Sequence, residues 1–467
     1  MFEPRIYVER RKKLKEKIES GLVLFLGNEE SPMNYPDNAY RFRQDSNFLY
    51  FFGLDSPSLA GLMDIDEDKD IIFGNDVDME DIIWMGDQPF LKDRAAEVGV
   101  KTTLPSFKLE ETMAKAMEQG RKVHYLPVYR KETALKIEDL LGVKSEKVNH
   151  YGSKALIKAV VDLRSRKIKQ EIDQIEEALG ITYLMHTTAM RMAVPGRYER
   201  EIAGTIEGIA RSYGADIAFP VILTVNGQIL HNHYHGNKLQ KGQLLVNDSG
   251  AESTLHYAGD ITRTIPVGGQ FTQKQKEIYE VVLNAQLNAI EHTVPGRKNK
   301  DVHLKAVETI ASGLKELGIM KGDVKEAVKA GAHALFMPHG LGHMMGMDVH
   351  DMEGLGEDHV GYNEKTKRSD QFGLAYLRFA KELEPGFVLT IEPGIYFIPA
   401  LIDKWIKEKK FMDYIDYKKV DQYRDFGGIR IEDDILVMDK GHRVLGKPIP
   451  KTVKDVEAIA AKGEVIL

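Results

Sequence analysis

The sequence predicts an α+β fold in two domains, and three observations predict it. Its 467 residues exceed what one hydrophobic core usually serves. Up to about residue 150 it alternates short apolar runs with helical stretches. Farther on, a unit of helix, Val-Pro-Gly-Arg and helix occurs twice about 100 residues apart, the pattern of two similar halves in one domain.

Taken in order, the basic run 9–17 reads as a solvated helix and 22–26 as a strand. That apolar run is too short for the core of a secretion signal, and no small-residue cleavage site follows it. Strand-like runs at 48–52 and 71–73, with helical stretches at 92–97 and 110–118, complete an α/β domain assigned to residues 1–165. The pattern loosens over 151–166, which places the boundary near 165. A helix over 168–192 follows through Ile172, Ile175, Leu179 and Tyr183; Pro195-Gly196 ends it, and 199–213 forms a second. In the other half Thr272 and Gln275 make a capping box ahead of Ile278, Val282 and Ala285. Pro295-Gly296 stops that helix, and 301–317 is the next. Strand-like runs at 221–225 and 243–246 accompany the first half, 387–391 and 429–438 the second. Residues 166–467 are thus expected to form one pseudo-symmetric domain with a cleft between its halves.

Composition narrows the chemistry. A net charge of -7 and a pI near 6.1 provide no field that gathers nucleic acid or anionic lipid, so neither is expected as a partner. No stretch approaches the roughly 18 apolar residues that span a bilayer, so a cytoplasmic location is expected. With no cysteine, any metal must be held by carboxylate and imidazole.

Four segments carry that chemistry. Asp248 in Leu-Val-Asn-Asp-Ser-Gly and Asp260 in Ala-Gly-Asp-Ile-Thr-Arg fall on neighbouring strands of a hairpin, where both could grip one ion; either alone reads as an ordinary turn acid. His339, His343 and His350 lie within twelve residues, separated by glycines that admit a ligand to the backbone. Glu392 ends an apolar strand, a costly place for an acid unless it is ion-paired or bound to a cation. Alternation puts Arg430 and Glu432 on one face of an otherwise apolar strand. Two aspartates, one histidine and two glutamates suffice to bridge two divalent ions, Mn²⁺ above Zn²⁺ or Co²⁺, and such a pair acidifies a shared water for hydrolysis.

These motifs resemble the proline-specific pita-bread metallopeptidases, aminopeptidase P and prolidase. Residues 40–53 and Trp84-Met85-Gly86 are similar to their creatinase-type N-terminal domain, and about 165–445 to their catalytic domain. The resemblance implies an α+β pita-bread domain and two ions, typically Mn²⁺, on Asp248, Asp260, His343, Glu392 and Glu432. It implies that His231 contacts substrate near the scissile bond, that His350 stabilises the tetrahedral intermediate, and that His339 supports them. Glu392 is the proton shuttle, and Arg430 is expected beside the substrate. Arg378 resembles the prolidase arginine that holds a dipeptide's carboxylate; its plainer reading is a surface arginine on a helix. Proline-containing peptides are the implied substrates and a homodimer or homotetramer the implied assembly, with Trp84 either a wall of the neighbouring site or a core residue.

Asp248 and Asp260 stand twelve apart, one more than the usual hairpin, and the extra residue is expected in the turn 252–256. Within a strand it would turn Asp260 to the wrong face. His233 and His235 compete with His231 for its role. Xaa-Pro aminopeptidase is the leading expectation and a dipeptide-restricted prolidase the alternative. A metal-free peptide-binding module, a creatinase-like hydrolase and a methionine aminopeptidase fit less well, because all five ligand positions and the N-terminal domain are present.

Overall fold

The computed structural model describes residues 1–463. Two compact units divide it: Met1–Arg164 with Glu353–His359, and Ser165–Met352 with the chain from Val360 onward.

In the first unit a five-stranded sheet runs Thr102–Leu104, Lys69–Phe73, Ala60–Asp64, Leu22–Leu26, Val123–His124, antiparallel in the middle and parallel at both edges. Alternation sorts its side chains. Leu22, Leu24, Leu62, Ile71 and Phe73 pack with Leu109, Met113 and Leu140 of the helices Lys108–Glu118 and Lys131–Leu141. Phe25, between them in sequence, meets Phe51 and Phe52 at 4.9 and 6.1 Å between ring centroids.

Two expectations fail in this unit. Residues 48–52, expected as a strand, belong to the helix Ser46–Phe52. Asp45 accepts from the amides of Asn47 and Phe48, and Gly53 closes the last turn at φ 65°, so capping at both ends overrides the strand preference of the aromatics. All five side chains of 48–52 are buried, which erased the helical period from the sequence. The loosened stretch 151–166 is mostly the helix Lys154–Ser165.

In the second unit the repeated motif has a repeated geometry. The helices Lys169–Met192 and Glu199–Ser212 are joined through Gly196 at φ 95°, and Gln273–His292 and Asn299–Glu316 through Gly296 at φ 81°, a region that favours glycine. Gly196 donates to the Leu239 carbonyl and Gly296 to that of Leu383, both at 2.8 Å. Leu239 and Leu383 return bonds to Arg197 and Arg297, again both at 2.8 Å. Each half therefore seats the end of one long loop in the same frame, the loop through His231 in one and that through Arg378 in the other.

Antiparallel strands form the middle of this unit. Ile261–Pro266, Leu244–Ser249 and Ile222–Thr224 make one sheet, and Val388–Ile391, Asp433–Val437 and His442–Val444 another. The run 429–438, expected as one strand, is broken. Gly394–Tyr396 pairs with Gly428–Arg430 and Val388–Ile391 with Asp433–Val437, leaving Glu392-Pro393 opposite Ile431-Glu432 joined only by one long bond from the Ile431 amide to the Pro393 carbonyl, 3.4 Å. Pro393 has no amide to donate, which opens the ladder there. Both glutamates stand in that opening. Among the described residues no helix is long and apolar enough to cross a membrane.

Candidate metal centre

The hairpin sets the first two carboxylates. Asp248 pairs with Thr262, and Ser249 with Ile261. The same register resumes at the Glu252–Ala258 bridge, so Asp260 falls opposite Gly250, diagonal to Asp248 and on the same face as Thr262. The intervening turn holds His256 at φ 64°, with Ser253 and Tyr257 bonded across it at 2.8 Å, so length is absorbed outside the strands. The two aspartates thus lie on neighbouring strands of the hairpin, diagonal to each other rather than directly opposed.

His343 is delivered by a loop pressed flat on the strand Val388–Ile391. Its amide meets the Thr390 hydroxyl at 3.1 Å, and a side chain at Gly342 would collide with the Thr390 carbonyl. The ring Nδ1 donates to the Met344 carbonyl at 3.0 Å, leaving the Nε2 lone pair aimed at Asp260 (3.4 Å) and Glu392 (3.8 Å). Asp260, His343 and Glu432 each offer a ligand atom within 4.8 Å of the other two, and all three are buried. Thr262 steadies Glu432 through a 2.6 Å bond to Oε2.

These residues fit a cation. Asp248 Oδ1 and Asp260 Oδ1 are buried with no protein donor. Burial first, then the repulsion of neighbouring carboxylates, pushes the Asp260 and Glu432 carboxyls well above the usual range; Glu392 rises too, by burial and by Asp260 and Asp248 against the pull of Arg430. Positive charge among them removes both penalties. Asp248 and Glu392 flank the tight cluster without belonging to it.

Arg430 is the surprise. Expected beside substrate, it lines the cleft, yet its guanidinium is committed to Asp248 (2.5 Å), the Tyr396 hydroxyl (3.0 Å) and Thr262 (3.1 Å). At 3% exposure a cation needs such partners, so Arg430 acts here as the brace of Asp248. Tyr396, to which the sequence assigns no role, also meets His339 Nε2 at 3.0 Å, while His339 Nδ1 donates to the Gly340 carbonyl at 2.7 Å. Its only sequence signal was its place four residues after Glu392. Thr262 gave none.

Above the cluster opens a cleft of about 450 Å³. His231, His350 and Arg378 line it with Phe219, Pro220 and Tyr376. Arg378 is in an irregular segment after the short turn Leu374–Tyr376, not on a surface helix. His350 packs edge-on to His343 at 4.2 Å between centroids. Burial, then Arg430, lowers the His231 pKa, which keeps its imidazole neutral. His233 also reaches the cleft, but both it and His235 face the Val221 carbonyl, at 3.5 and 3.2 Å.

A buried carboxylate and imidazole cluster at the floor of a cleft in an α+β domain defines a metallohydrolase. Residues 173–439 match the model of metallopeptidase family M24, and 7–125 that of the aminopeptidase P N-terminal domain; the chain belongs to the M24 metallopeptidases. It is 32% identical over 450 residues to a Metarhizium robertsii protein named probable Xaa-Pro aminopeptidase pepP, covering 95% of this chain and 93% of that one. The human Xaa-Pro dipeptidase is 30% identical over 452 residues, covering 94% and 88%. Pseudomonas aeruginosa aminopeptidase PepP is similar in structure, with a TM-score of 0.82 at 28% identity and coverage of 99% and 98%.

Proposed function

We infer that this chain is an Xaa-Pro aminopeptidase that hydrolyses the bond between an N-terminal residue and a proline in second place, using two divalent ions. The observation that carries this reading is the buried cluster of Asp260, His343 and Glu432, flanked by Asp248 and Glu392 beneath the cleft. Relatives named for Xaa-Pro chemistry across nearly the whole chain support it.

Those five residues would hold the metal pair, and their hard oxygens favour Mn²⁺. When bound, the pair supplies an acidified water and Lewis acidity for the scissile carbonyl. Glu392 has the most open side chain of the carboxylates around His343, 20% exposed against 7% for Asp260. It can therefore reach a water in the cleft, take its proton and pass it to the prolyl nitrogen, which leaves only when protonated. Neutral His231 donates to the substrate carbonyl oxygen as charge gathers there, and His350 faces the same cleft. His339, fixed between Gly340 and Tyr396, holds the wall beside Glu392.

Arg378 in the cleft favours a second reading, restriction to dipeptides, since a guanidinium fork suits a free carboxylate. The test compares turnover of an Xaa-Pro-Xaa tripeptide, the matching Xaa-Pro dipeptide and a tripeptide with alanine second. Cleavage of the first and not the last is expected, and equal cleavage of both sinks the proline reading. Arg378→Ala should slow the dipeptide by about tenfold or more, the scale of a lost charge-assisted bond, with the tripeptide little changed. Equal losses rule out a carboxylate clamp.

Self-association as a dimer or tetramer is supported by the exposed apolar run Met79, Ile83, Trp84, Met85 and Phe90. Trp84 is 80% exposed, which removes its reading as a core residue. Light scattering should give two or four times the chain mass, with Trp84→Ser shifting the protein toward monomer. A monomeric parent protein sinks this assembly.

A further inference from the structure

Lys167 has no place in the proposed chemistry, yet its ammonium is one of the most enclosed charges in the second unit. Its Nζ lies 2.8 Å from Asp351 Oδ2, and each side chain is 1% exposed. Removing two charges from water costs about as much as their attraction returns, and an apolar pair would hold such a site equally well. Stability alone does not explain the pair.

Its position does. The Lys167 amide donates to the Gly386 carbonyl at 2.8 Å, two residues ahead of the strand Val388–Ile391 that leads into Glu392. Asp351 follows His350 directly. Its amide bonds the Met344 carbonyl at 2.9 Å, and its Oδ1 accepts from Asp348 at 3.4 Å, closing the turn 344–351 on itself. Gly346, in that turn, lies flat against the ion pair: a side chain there would meet Asp351 Oδ2 at 2.5 Å and Lys167 Cε at 2.8 Å. The Gly346 carbonyl accepts from Ala258 at 2.8 Å, in the hairpin that carries Asp248 and Asp260. Three segments that bring functional side chains to the cluster therefore meet at one buried ion pair: the hairpin, the turn from His343 to His350, and the start of the Glu392 strand.

We propose that Lys167 is a positioning residue that, through Asp351, fixes the turn 344–351 so that His350 stands edge-on to His343 over the metal cluster. The pair is directional where an apolar contact is not. An ammonium aimed at one carboxylate oxygen sets the rotation of Asp351 and, through the adjoining peptide, that of His350. This rests on the peptidase reading, so the experiment uses the metal-loaded full chain on an Xaa-Pro-Xaa tripeptide, with the wild-type rate testing that reading separately.

Two variants address it. Lys167→Met with Asp351→Leu removes both charges and keeps the volume apolar; Asp351→Asn keeps the shape and removes one charge. The double variant should retain its urea midpoint and metal content while kcat falls about 10- to 100-fold with KM little changed, the scale of a small misplacement of a catalytic group. In a His350→Ala background the same double change should cost nothing further, because the two act as one unit. Unchanged kcat in the double variant overturns the proposal, as does a loss that multiplies with that of His350→Ala. If both variants unfold or shed metal, the pair is a stability element and the proposal is likewise overturned.

Discussion

Glu392→Gln should lower kcat on an Xaa-Pro-Xaa tripeptide by about 10³-fold, within the range that general acid–base groups contribute, while the protein stays folded. The backbone at this position is anchored independently of the side chain, since its amide donates to the Leu341 carbonyl at 2.8 Å. What the substitution removes is a proton acceptor that faces His343 at 3.8 Å and His339 at 4.0 Å. It also removes one member of a crowd of buried carboxylates; burial, and then their mutual repulsion against the pull of Arg430, already favours the neutral form of Glu392. Chelation should therefore expose a reversal. With chelator the Gln variant should unfold at higher urea than wild type, and with saturating Mn²⁺ at lower urea, because one ligand charge is missing. Chelator should abolish wild-type turnover and Mn²⁺ should restore it. A Gln variant within tenfold of wild type removes Glu392 as the proton shuttle, and a chain that neither binds divalent metal nor gains activity from it removes the hydrolase.

The second large effect is loss of stability in mild acid. His186, His303 and His333 are at most 1% exposed, and burial, the leading cause in each, lowers their pKa values to about 3, about 3 and about 4. His186 is committed as a neutral ring, accepting from Asn247 at Nδ1 (3.2 Å) and donating from Nε2 to the Ser249 carbonyl (3.0 Å). His303 and His333 face each other at 6.4 Å between centroids. The unfolded chain takes up these protons near the ordinary value of 6.5 and the folded chain only near 3 to 4. Stability is therefore fully present above pH 6.5 and is lost as pH falls below it. At pH 5 each histidine costs about 2 kcal/mol, from about 1.4 kcal/mol per pH unit. Three cost about 6, comparable to the whole stability of many domains. Between pH 6 and 5 these three histidines contribute a slope near 4 kcal/mol per pH unit to urea unfolding, and His303→Leu with His333→Leu should flatten the wild-type slope by about two thirds of that amount. An unchanged slope in that variant sinks the account.

How much of this was legible depends on where each residue's partner lies in sequence. The Thr272 to Gln275 capping box and the two Val-Pro-Gly-Arg joints are local signals, and the structure uses them as such. Asp260 could be placed because strand alternation is strict once the turn absorbs the extra length. The helix Ser46–Phe52 was misread because a run buried on every side has no period, and its capping aspartate lay just outside the run. The brace of Arg430 on Asp248 was not legible, because its partners Asp248 and Thr262 are 182 and 168 residues away. The break at Glu392-Pro393 was visible as a proline, but only the opposite gap at Ile431-Glu432 explains why two glutamates share one opening. Lys167 carried no signal, since its partner lies 184 residues on.

The twin frames at Gly196 and Gly296 have an evolutionary consequence. Each ties down one end of a long loop, and those loops bring His231 and Arg378 to the cleft, while Asp248 and Glu432 sit on or between strands. Insertions can lengthen either loop between its fixed ends without disturbing the cluster below. Substrate range can then drift between lineages while the hydrolytic core stays constant, so that neighbours in sequence can come to differ in the length of peptide they accept.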